Sequence, residues 1–205
     1  VLLDGAAWVS NRFGNAPATL DNLINDGRIR PAIVLFDYRN RGGGPGGIVN
    51  YGEALVREIM PMLRASYPIS TNPADTVIGG YSAGGLAATE IALLHPDVFG
   101  NVLSQSGSFR DPAGQDEPNA TARAFIAAPR KPVRFYLEVG LYDNVPGAEL
   151  PLYEMVLDET NLMGNRHFRD VLRAKGYDVT YREVGGGHDY VHWRAMLSVG
   201  LVTLL

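Results

Sequence analysis

The sequence of 205 residues contains no cysteine, and this absence excludes disulfide bonds, thiolate metal ligands and catalytic thiols. No apolar run reaches the length of a membrane span, and no signal peptide is visible, so the sequence assigns no cellular compartment. Basic residues number 18 against 22 acidic ones, without a block of positive charge. We therefore expect neither a nucleic-acid nor a membrane partner. The sequence predicts no particular oligomeric state.

The residues that are present fit one globular domain. Hydrophobic residues make up 46% of the chain, and at this length folding buries roughly 70% of the surface of the unfolded chain. Apolar runs of strand length alternate with helical patterns along residues 1–205. This alternation predicts a single α/β domain with a mostly parallel central sheet and helices on both faces, in three layers. Because Val1–Gly5 resembles the end of a buried strand, we expect that upstream strands or a domain are missing.

Individual elements follow from hydrophobic periodicity and from the positions of proline and glycine. Ala32–Phe36 is a continuous apolar run, typical of a parallel strand that is covered on both faces. The pattern from Glu53 to Tyr67 predicts a helix that is kinked or starts late at Pro61. Val133–Val139 is a further predicted strand. Val179–Val184 alternates and is predicted to lie towards the edge of the sheet.

The segment Thr76–Ala88 predicts a strand, a sharp turn and a helix, with Gly-x-Ser-x-Gly across the turn. Ser82 then stands at the apex of a strained bend, where residues two before and two after cannot carry bulk. The N–H of Ala83 lies at the N-terminus of the following helix, where it favours a developing negative charge. A second oxyanion donor is expected from Gly5 or Ala6, directly after the first strand.

A serine nucleophile needs a base, and the sequence offers four histidines. His188 follows three glycines at the end of a predicted strand, so we predict that it is the base. His95 closes the helix after Ser82 on the far side, and His167 lies on an amphipathic helix. His192, one helical turn beyond His188, is expected to have a packing or supporting role.

The carboxylate that orients the base is predicted to be Asp143, just beyond the strand that ends at Gly140. The chain order Ser82, Asp143, His188 is that of the α/β-hydrolases. Asp189 is set aside, because neighbouring side chains diverge. Three other carboxylates remain open as alternatives: Glu154, Asp158 and Glu159.

Several stretches together resemble the catalytic domain of enterochelin (ferric-siderophore) esterases: Leu3–Gly5, Pro17–Ile24, Gly80–Gly85, Leu103–Phe109, Asn165–Arg166, Gly186–Tyr190 and Trp193–Arg194. The broader esterase D-like group also holds feruloyl and acetylxylan esterases, S-formylglutathione hydrolases and mycolyltransferases. The resemblance implies an α/β-hydrolase fold with Ser82 as nucleophile and His188 as base. Neither a cofactor nor a metal is implied. The chain departs from the family at Arg110–Asp111, where an aromatic pair is common, and at Asp143, where a glutamate is common.

The predicted function is that of a serine esterase, which hydrolyses a small-molecule ester through an acyl-enzyme and acts on ferric-siderophore (enterochelin-like) esters. The alternatives are a feruloyl or acetylxylan-type esterase, a mycolyl-type acyltransferase, and a binding module without turnover. Ferric catecholates are anionic and aromatic, so their site needs cations and flat rings. The residues predicted to supply them are Trp8, Arg39, Arg110, Tyr142 and Trp193.

Overall fold

The computed structural model describes residues 1–38, 47–110, 119–143 and 160–205. In these ranges six strands form one parallel sheet in the order β2-β1-β3-β4-β5-β6. The strands are β1 Leu2–Leu3, β2 Phe36–Asp37, β3 Val77–Tyr81, β4 Asn101–Gln105, β5 Arg134–Gly140 and β6 Asp178–Val184. The predicted parallel sheet is confirmed, and β6 lies at its edge in the described part of the chain.

Helices cover both faces of the sheet. They are α1 Gly5–Val9, α2 Ala16–Asn25, α3 Gly47–Ala54, α4 Met60–Ser66, α5 Ala83–Leu94, α6 Ala120–Ala127, α7 Asn161–Ala174 and α8 Tyr190–Leu204. Side chains of α1, α2 and α8 pack in one core cluster, and those of α3 to α7 pack in another on the opposite face. The fold is therefore a three-layer α/β sandwich. Across the described segments, every helix is too short or too polar to cross a bilayer.

The central strands supply side chains to both clusters. In β3, Ile78 packs with the α3-to-α7 cluster, whereas Val77 and Tyr81 pack with the α1, α2 and α8 cluster. All five residues of β3 are buried, as are all five of β4. This two-sided burial explains why these strands show no alternation of apolar and polar residues.

The strand order creates a crevice at one edge of the sheet. From β1 the chain passes to β2 on one side, and later returns to β3 on the other side. In such sheets the carboxyl ends of the strands flanking the reversal form the usual ligand site. Leu2 of β1 is paired with Gly79 of β3, so Gly5 and Ser82, each three residues further on, leave the sheet at the same level. This geometry places the candidate site.

Two predicted elements differ in the structure. Strand pairing in the predicted strand Ala32–Phe36 is limited to its end, and the expected cover on both faces is absent there, because Ile33 is 48% exposed and Val34 is only partly buried against the core. The predicted helix at Glu53 begins earlier, at Gly47, and includes a π-helical segment over Leu55–Ile59. Pro61 has no N–H and its ring crowds the preceding turn; the wider π turn accommodates both effects.

Candidate active site

Ser82 lies at the sharp turn between β3 and α5. Its backbone has φ 52° and ψ −125°, a region that is costly for a residue with a side chain. The turn is possible because two glycines meet beneath it: a Cβ on Gly80 would lie 2.6 Å from the carbonyl carbon of Gly84. The Ser82 N–H also donates to the Gln105 carbonyl at 2.9 Å. The structure thus has the geometry that the Gly-x-Ser-x-Gly motif predicts.

Three predicted site residues meet at this turn. The Oγ of Ser82 lies 2.9 Å from Nε2 of His188, and Nδ1 of His188 lies 2.9 Å from Oδ2 of Asp143. Asp143 is buried, while 32% of the His188 side chain is exposed. The result is a continuous hydrogen-bonded chain from a buried carboxylate to a hydroxyl at the surface.

The carboxylate of Asp143 is held by a buried amide that the sequence did not reveal. Nδ2 of Asn161 donates to Oδ2 of Asp143 at 2.8 Å and lies 3.0 Å from the Ser106 carbonyl. Burial alone would raise the pKa of Asp143, but the hydrogen bond and charge of His188, the Asn161 amide and the Arg110 guanidinium together lower it. The carboxyl group is therefore ionised at neutral pH.

The turn after β4 places a second hydroxyl beside Ser82. Oγ of Ser108 lies 3.2 Å from Oγ of Ser82, and the Ser108 N–H donates to the Ser82 carbonyl at 3.1 Å. This turn contains Ser106 at φ 48°, and Nδ2 of Asn165 donates to the Gly107 carbonyl at 2.8 Å. Sequence reasoning missed these contacts. The available signal was the i, i+4 spacing of two asparagines, Asn161 and Asn165, on α7.

The turn that carries His188 is fixed to the loop that carries Asp143. The Tyr142 N–H donates to the Gly186 carbonyl at 3.0 Å, and a Cβ on Gly140 would lie only 2.1 Å from that same oxygen. No residue other than glycine fits at position 140. Asp189, which follows His188, accepts the His192 N–H at 3.0 Å and caps α8. This contact agrees with setting Asp189 aside as the acid.

The three predicted oxyanion donors lie at the same edge of the sheet. Ala83 is exposed as the first residue of α5, and Gly5 and Ala6 begin α1. The first N–H groups of a helix have no partner within that helix, so they point away from it. The strand register described above brings the start of α1 level with Ser82.

The predicted substrate residues divide into buried and exposed groups. Trp8 is 1% exposed and donates its indole N–H to the Leu3 carbonyl at 2.8 Å. Trp193 is buried, stacks on Tyr81 at 4.5 Å between ring centroids, and meets the His188 ring edge-on at 5.0 Å. Contrary to the expectation that they line the substrate walls, neither indole offers a face to solvent. Trp193 packs against the His188 ring instead.

Tyr142 is 70% exposed, beside Asp143, and Arg110 is half-buried and close enough to Asp143 to lower its pKa. Tyr142 is therefore exposed to a ligand at the site, and Arg110 lies close to the Asp143 carboxylate. Over the described ranges, the His, Asp and Glu side chains form no group of three or more that could hold a metal ion. Several predicted residues lie outside the described ranges: Arg39, Glu154, Asp158 and Glu159.

Residues 1–204 match the model of the family Esterase, described as "Putative esterase". The chain belongs to this esterase family. It is 30% identical over 212 residues to the iron(III) enterobactin esterase of Dickeya dadantii, covering 100% of this chain and 47% of the relative. A xylanase/feruloyl esterase of Xylanibacter ruminicola is 27% identical over 119 residues, which cover 55% of this chain and 16% of that protein.

A solved structure extends the likeness to three dimensions. The enterobactin esterase of Shigella flexneri, crystallised in the presence of enterobactin, superimposes with a TM-score of 0.78 at 26% identity. The match covers 99% of this chain and 49% of that one. The chain thus spans about half the length of the relatives that it matches from end to end. Membership of the family confirms the resemblance to enterochelin esterases that the sequence motifs indicate.

Proposed function

We propose that this family member hydrolyses carboxylic esters through an acyl-enzyme formed on Ser82, with His188 as base and Asp143 as the orienting acid. The observation that carries the proposal is the chain of two 2.9 Å contacts from Asp143 through His188 to Ser82. A serine hydroxyl is a poor nucleophile until a base takes its proton, and here an imidazole nitrogen lies within hydrogen-bond reach. The family and the turn geometry both agree with this chemistry.

In the first half-reaction Oγ of Ser82 attacks the ester carbonyl carbon while its proton passes to Nε2 of His188. The ionised Asp143 stabilises the resulting imidazolium and keeps the Nδ1 proton on its side of the ring. The negative charge on the former carbonyl oxygen is assigned to the N–H of Ala83, with a second N–H from Gly5 or Ala6. When the intermediate collapses, the carbon–oxygen bond to the alcohol breaks and the alcohol takes the His188 proton.

In the second half-reaction a water molecule replaces the alcohol. His188 takes a proton from this water as its oxygen attacks the acyl carbon, and then returns a proton to Oγ of Ser82 as the acyl bond breaks. The acid is released and the enzyme is restored. The exposed third of the His188 side chain gives the water access to Nε2.

Turnover of p-nitrophenyl acetate by purified protein tests this proposal. Ser82→Ala and His188→Ala should each lower kcat by on the order of 10⁶-fold, because residues of such a unit act together. Thermal melting of the variants checks that folding is intact. Activity of Ser82→Ala within about tenfold of the parent would falsify the mechanism.

We further propose that the ester belongs to a ferric catecholate siderophore. Relatives across the whole chain are named for iron(III) enterobactin, and a half-buried guanidinium, Arg110, lies near Asp143. An anionic ligand favours fixed cations near the reacting carbonyl. The second candidate is a feruloyl ester, which the partial match to the Xylanibacter ruminicola protein supports.

A further inference from the structure

A buried polar cluster lies beneath the turn that carries His188, and none of its members has a part in the proposed chemistry. Glu138 on β5 is fully buried, and its carboxylate accepts hydrogen bonds from Nε2 of Gln105 at 2.6 Å and from the Tyr136 hydroxyl at 2.8 Å. Nε2 of His192 lies 3.3 Å from Oε1 of Glu138, a distance typical of an ion pair. The His192 side chain is only 2% exposed. A charged carboxylate at this depth needs a compensating cation.

The contacts of His192 determine its protonation. Nδ1 lies 2.9 Å from the Gly187 carbonyl, which can only accept, so Nδ1 carries a proton. Nε2 faces the Glu138 carboxylate, which also favours a proton. When both nitrogens are protonated the ring is an imidazolium, a cation whose Nε2 lies 3.3 Å from the Glu138 carboxylate. Burial alone would lower the pKa of His192, but Glu138 and the Gly187 carbonyl outweigh it and raise the pKa.

The same ring supports the turn before His188. A Cβ on Gly186 would lie 2.8 Å from the His192 ring, so the backbone passes directly over the imidazole. Gly187, whose carbonyl accepts the hydrogen bond from Nδ1 of His192, is bonded directly to His188. A shift of this carbonyl would move the His188 ring relative to Ser82, and misplacement of a reacting group by about 1 Å can cost on the order of 10² in rate.

We propose that His192 is a positioning residue: paired with Glu138, it donates from Nδ1 to the Gly187 carbonyl and so fixes His188 at hydrogen-bond distance from Ser82. The expected effect of His192 on the rate of ester hydrolysis rests on the proposed function. Its expected effect on the position of the His188 ring does not. The role proposed for the Nδ1 donor is separate from the contribution of the His192 ring to packing. Substitution of His192 by asparagine and by glutamine distinguishes the two contributions.

Asparagine has its amide nitrogen at the position of Nδ1 relative to the backbone, whereas glutamine has it near the position of Nε2. His192→Asn therefore keeps the donor to Gly187, and His192→Gln loses it. We expect His192→Gln and His192→Ala to lower kcat/KM for p-nitrophenyl acetate by about 10²-fold, and His192→Asn to stay within about tenfold of the parent. Equal losses in the asparagine and glutamine variants, or parental activity in His192→Ala, would overturn the proposal.

His192→Asn removes the cation beside the Glu138 carboxylate. The double variant His192→Asn/Glu138→Gln is therefore measured together with His192→Asn. The double variant removes both charges and keeps the donor to Gly187; it should fold and retain kcat/KM within about tenfold of the parent. His95→Asn is the matched control, because His95 is also largely buried, at 12% exposure, and faces a carboxylate, Glu53, at the far end of α5. A full loss of activity in the folded double variant would contradict the role of the donor.

Crystal structures of the parent, His192→Asn and His192→Gln supply a readout that does not depend on turnover. The distance from Nε2 of His188 to Oγ of Ser82 should stay within hydrogen-bond range in the parent and in His192→Asn, and lengthen in His192→Gln. An unchanged distance in His192→Gln would overturn the positioning role even if the rates differ. If the parent hydrolyses no ester while these distances behave as expected, the proposed function fails and the positioning role stands.

Discussion

Tyr142 and Gly186 are joined by a backbone hydrogen bond of 3.0 Å, in which the Tyr142 N–H donates to the Gly186 carbonyl. Tyr142 precedes Asp143, and Gly186 lies two residues before His188. The bond therefore links the loop that supplies the acid to the turn that supplies the base. Because β5 and β6 are neighbouring parallel strands, their carboxyl ends place both segments at one edge of the sheet.

Asp143→Asn should lower kcat for p-nitrophenyl acetate by about 10⁴-fold, because an amide at this position favours the wrong tautomer of His188. Asp189→Asn is the matched control, since asparagine also caps helices and Asp189 contacts α8 and not the His188 ring. Steady-state kinetics of both variants provide the measurement. If Asp143→Asn is mild and Glu154→Gln is severe, the acid lies in the segment after Asp143. Mild effects from every carboxylate would indicate a Ser–His dyad.

We expect Asn161 to stabilise the Asp143 carboxylate through its amide N–H and not through the volume of its side chain. Asn161→Ala removes a hydrogen bond to a buried charge, which typically costs about 1.5–3 kcal/mol of unfolding free energy. Asn161→Asp removes the same donor and adds a like charge, so it should raise the pKa of Asp143 and reduce kcat/KM further than alanine does. Urea unfolding and ester kinetics measure the two effects. Equal activity of the two variants would show that the amide contributes nothing through electrostatics.

The substrate proposal predicts a selective effect of charge. Reversing Arg39 and Arg110 together to glutamate should reduce kcat/KM for a ferric catecholate ester far more than for p-nitrophenyl acetate. The neutral ester is the internal control, since Arg110 also acts on the pKa of Asp143. Equal losses on both esters would rule out the siderophore proposal. Efficient hydrolysis of methyl ferulate, with none of the catecholate, would favour the feruloyl alternative.

The stability of the protein should depend on the protonation of His192. Because its pKa is raised on folding, the extra stability is complete below the unfolded value near 6.5 and is lost as the pH rises through the folded value. A folded pKa that exceeds the unfolded pKa by one corresponds to about 1.4 kcal/mol of unfolding free energy. The anionic groups that raise this pKa are Glu138 and Asp189; the neighbouring Tyr136 stays neutral, because burial and Glu138 raise its own pKa.

Urea unfolding at a series of pH values from about 6 to about 9 measures this loss of stability. The double variant His192→Asn/Glu138→Gln should lose less stability than the parent over the same range. His167→Asn, at an exposed position on α7, is the control and should follow the parent. A parallel decline in the parent and the double variant would assign the effect to other groups.

Local sequence signals are sufficient for the turn at Ser82 and for the order of the site residues. The sharp turn is predictable because a buried strand, a Gly-x-Ser-x-Gly sequence and an alanine-rich helix are contiguous in the chain. His188 and Asp143 are predictable because each follows the end of a parallel strand. The structure places both within hydrogen-bond reach of their expected partners.

What the sequence does not reveal depends on contacts between distant segments. Asn161 supports Asp143 from the first turn of α7; its i, i+4 spacing with Asn165 is visible in the sequence, but that spacing does not show which segment the two amides contact. Glu138 lies within a predicted strand, and nothing in the local pattern indicates that this carboxylate is fully buried. The aromatic side chains Trp8 and Trp193 are expected at the surface of the site, but packing against Tyr81 buries both. Burial of this kind is decided by tertiary packing, which the hydrophobic periodicity of the sequence does not show.

The central claim is that Ser82 is a nucleophile activated by His188, and labelling with a fluorophosphonate tests it directly. Intact mass and peptide mapping should show one phosphonyl group per chain, on Ser82. Labelling should disappear in Ser82→Ala and become far slower in His188→Ala, while His95→Asn labels like the parent. Modification at another residue, or no modification of a protein that turns over p-nitrophenyl acetate, would contradict the account.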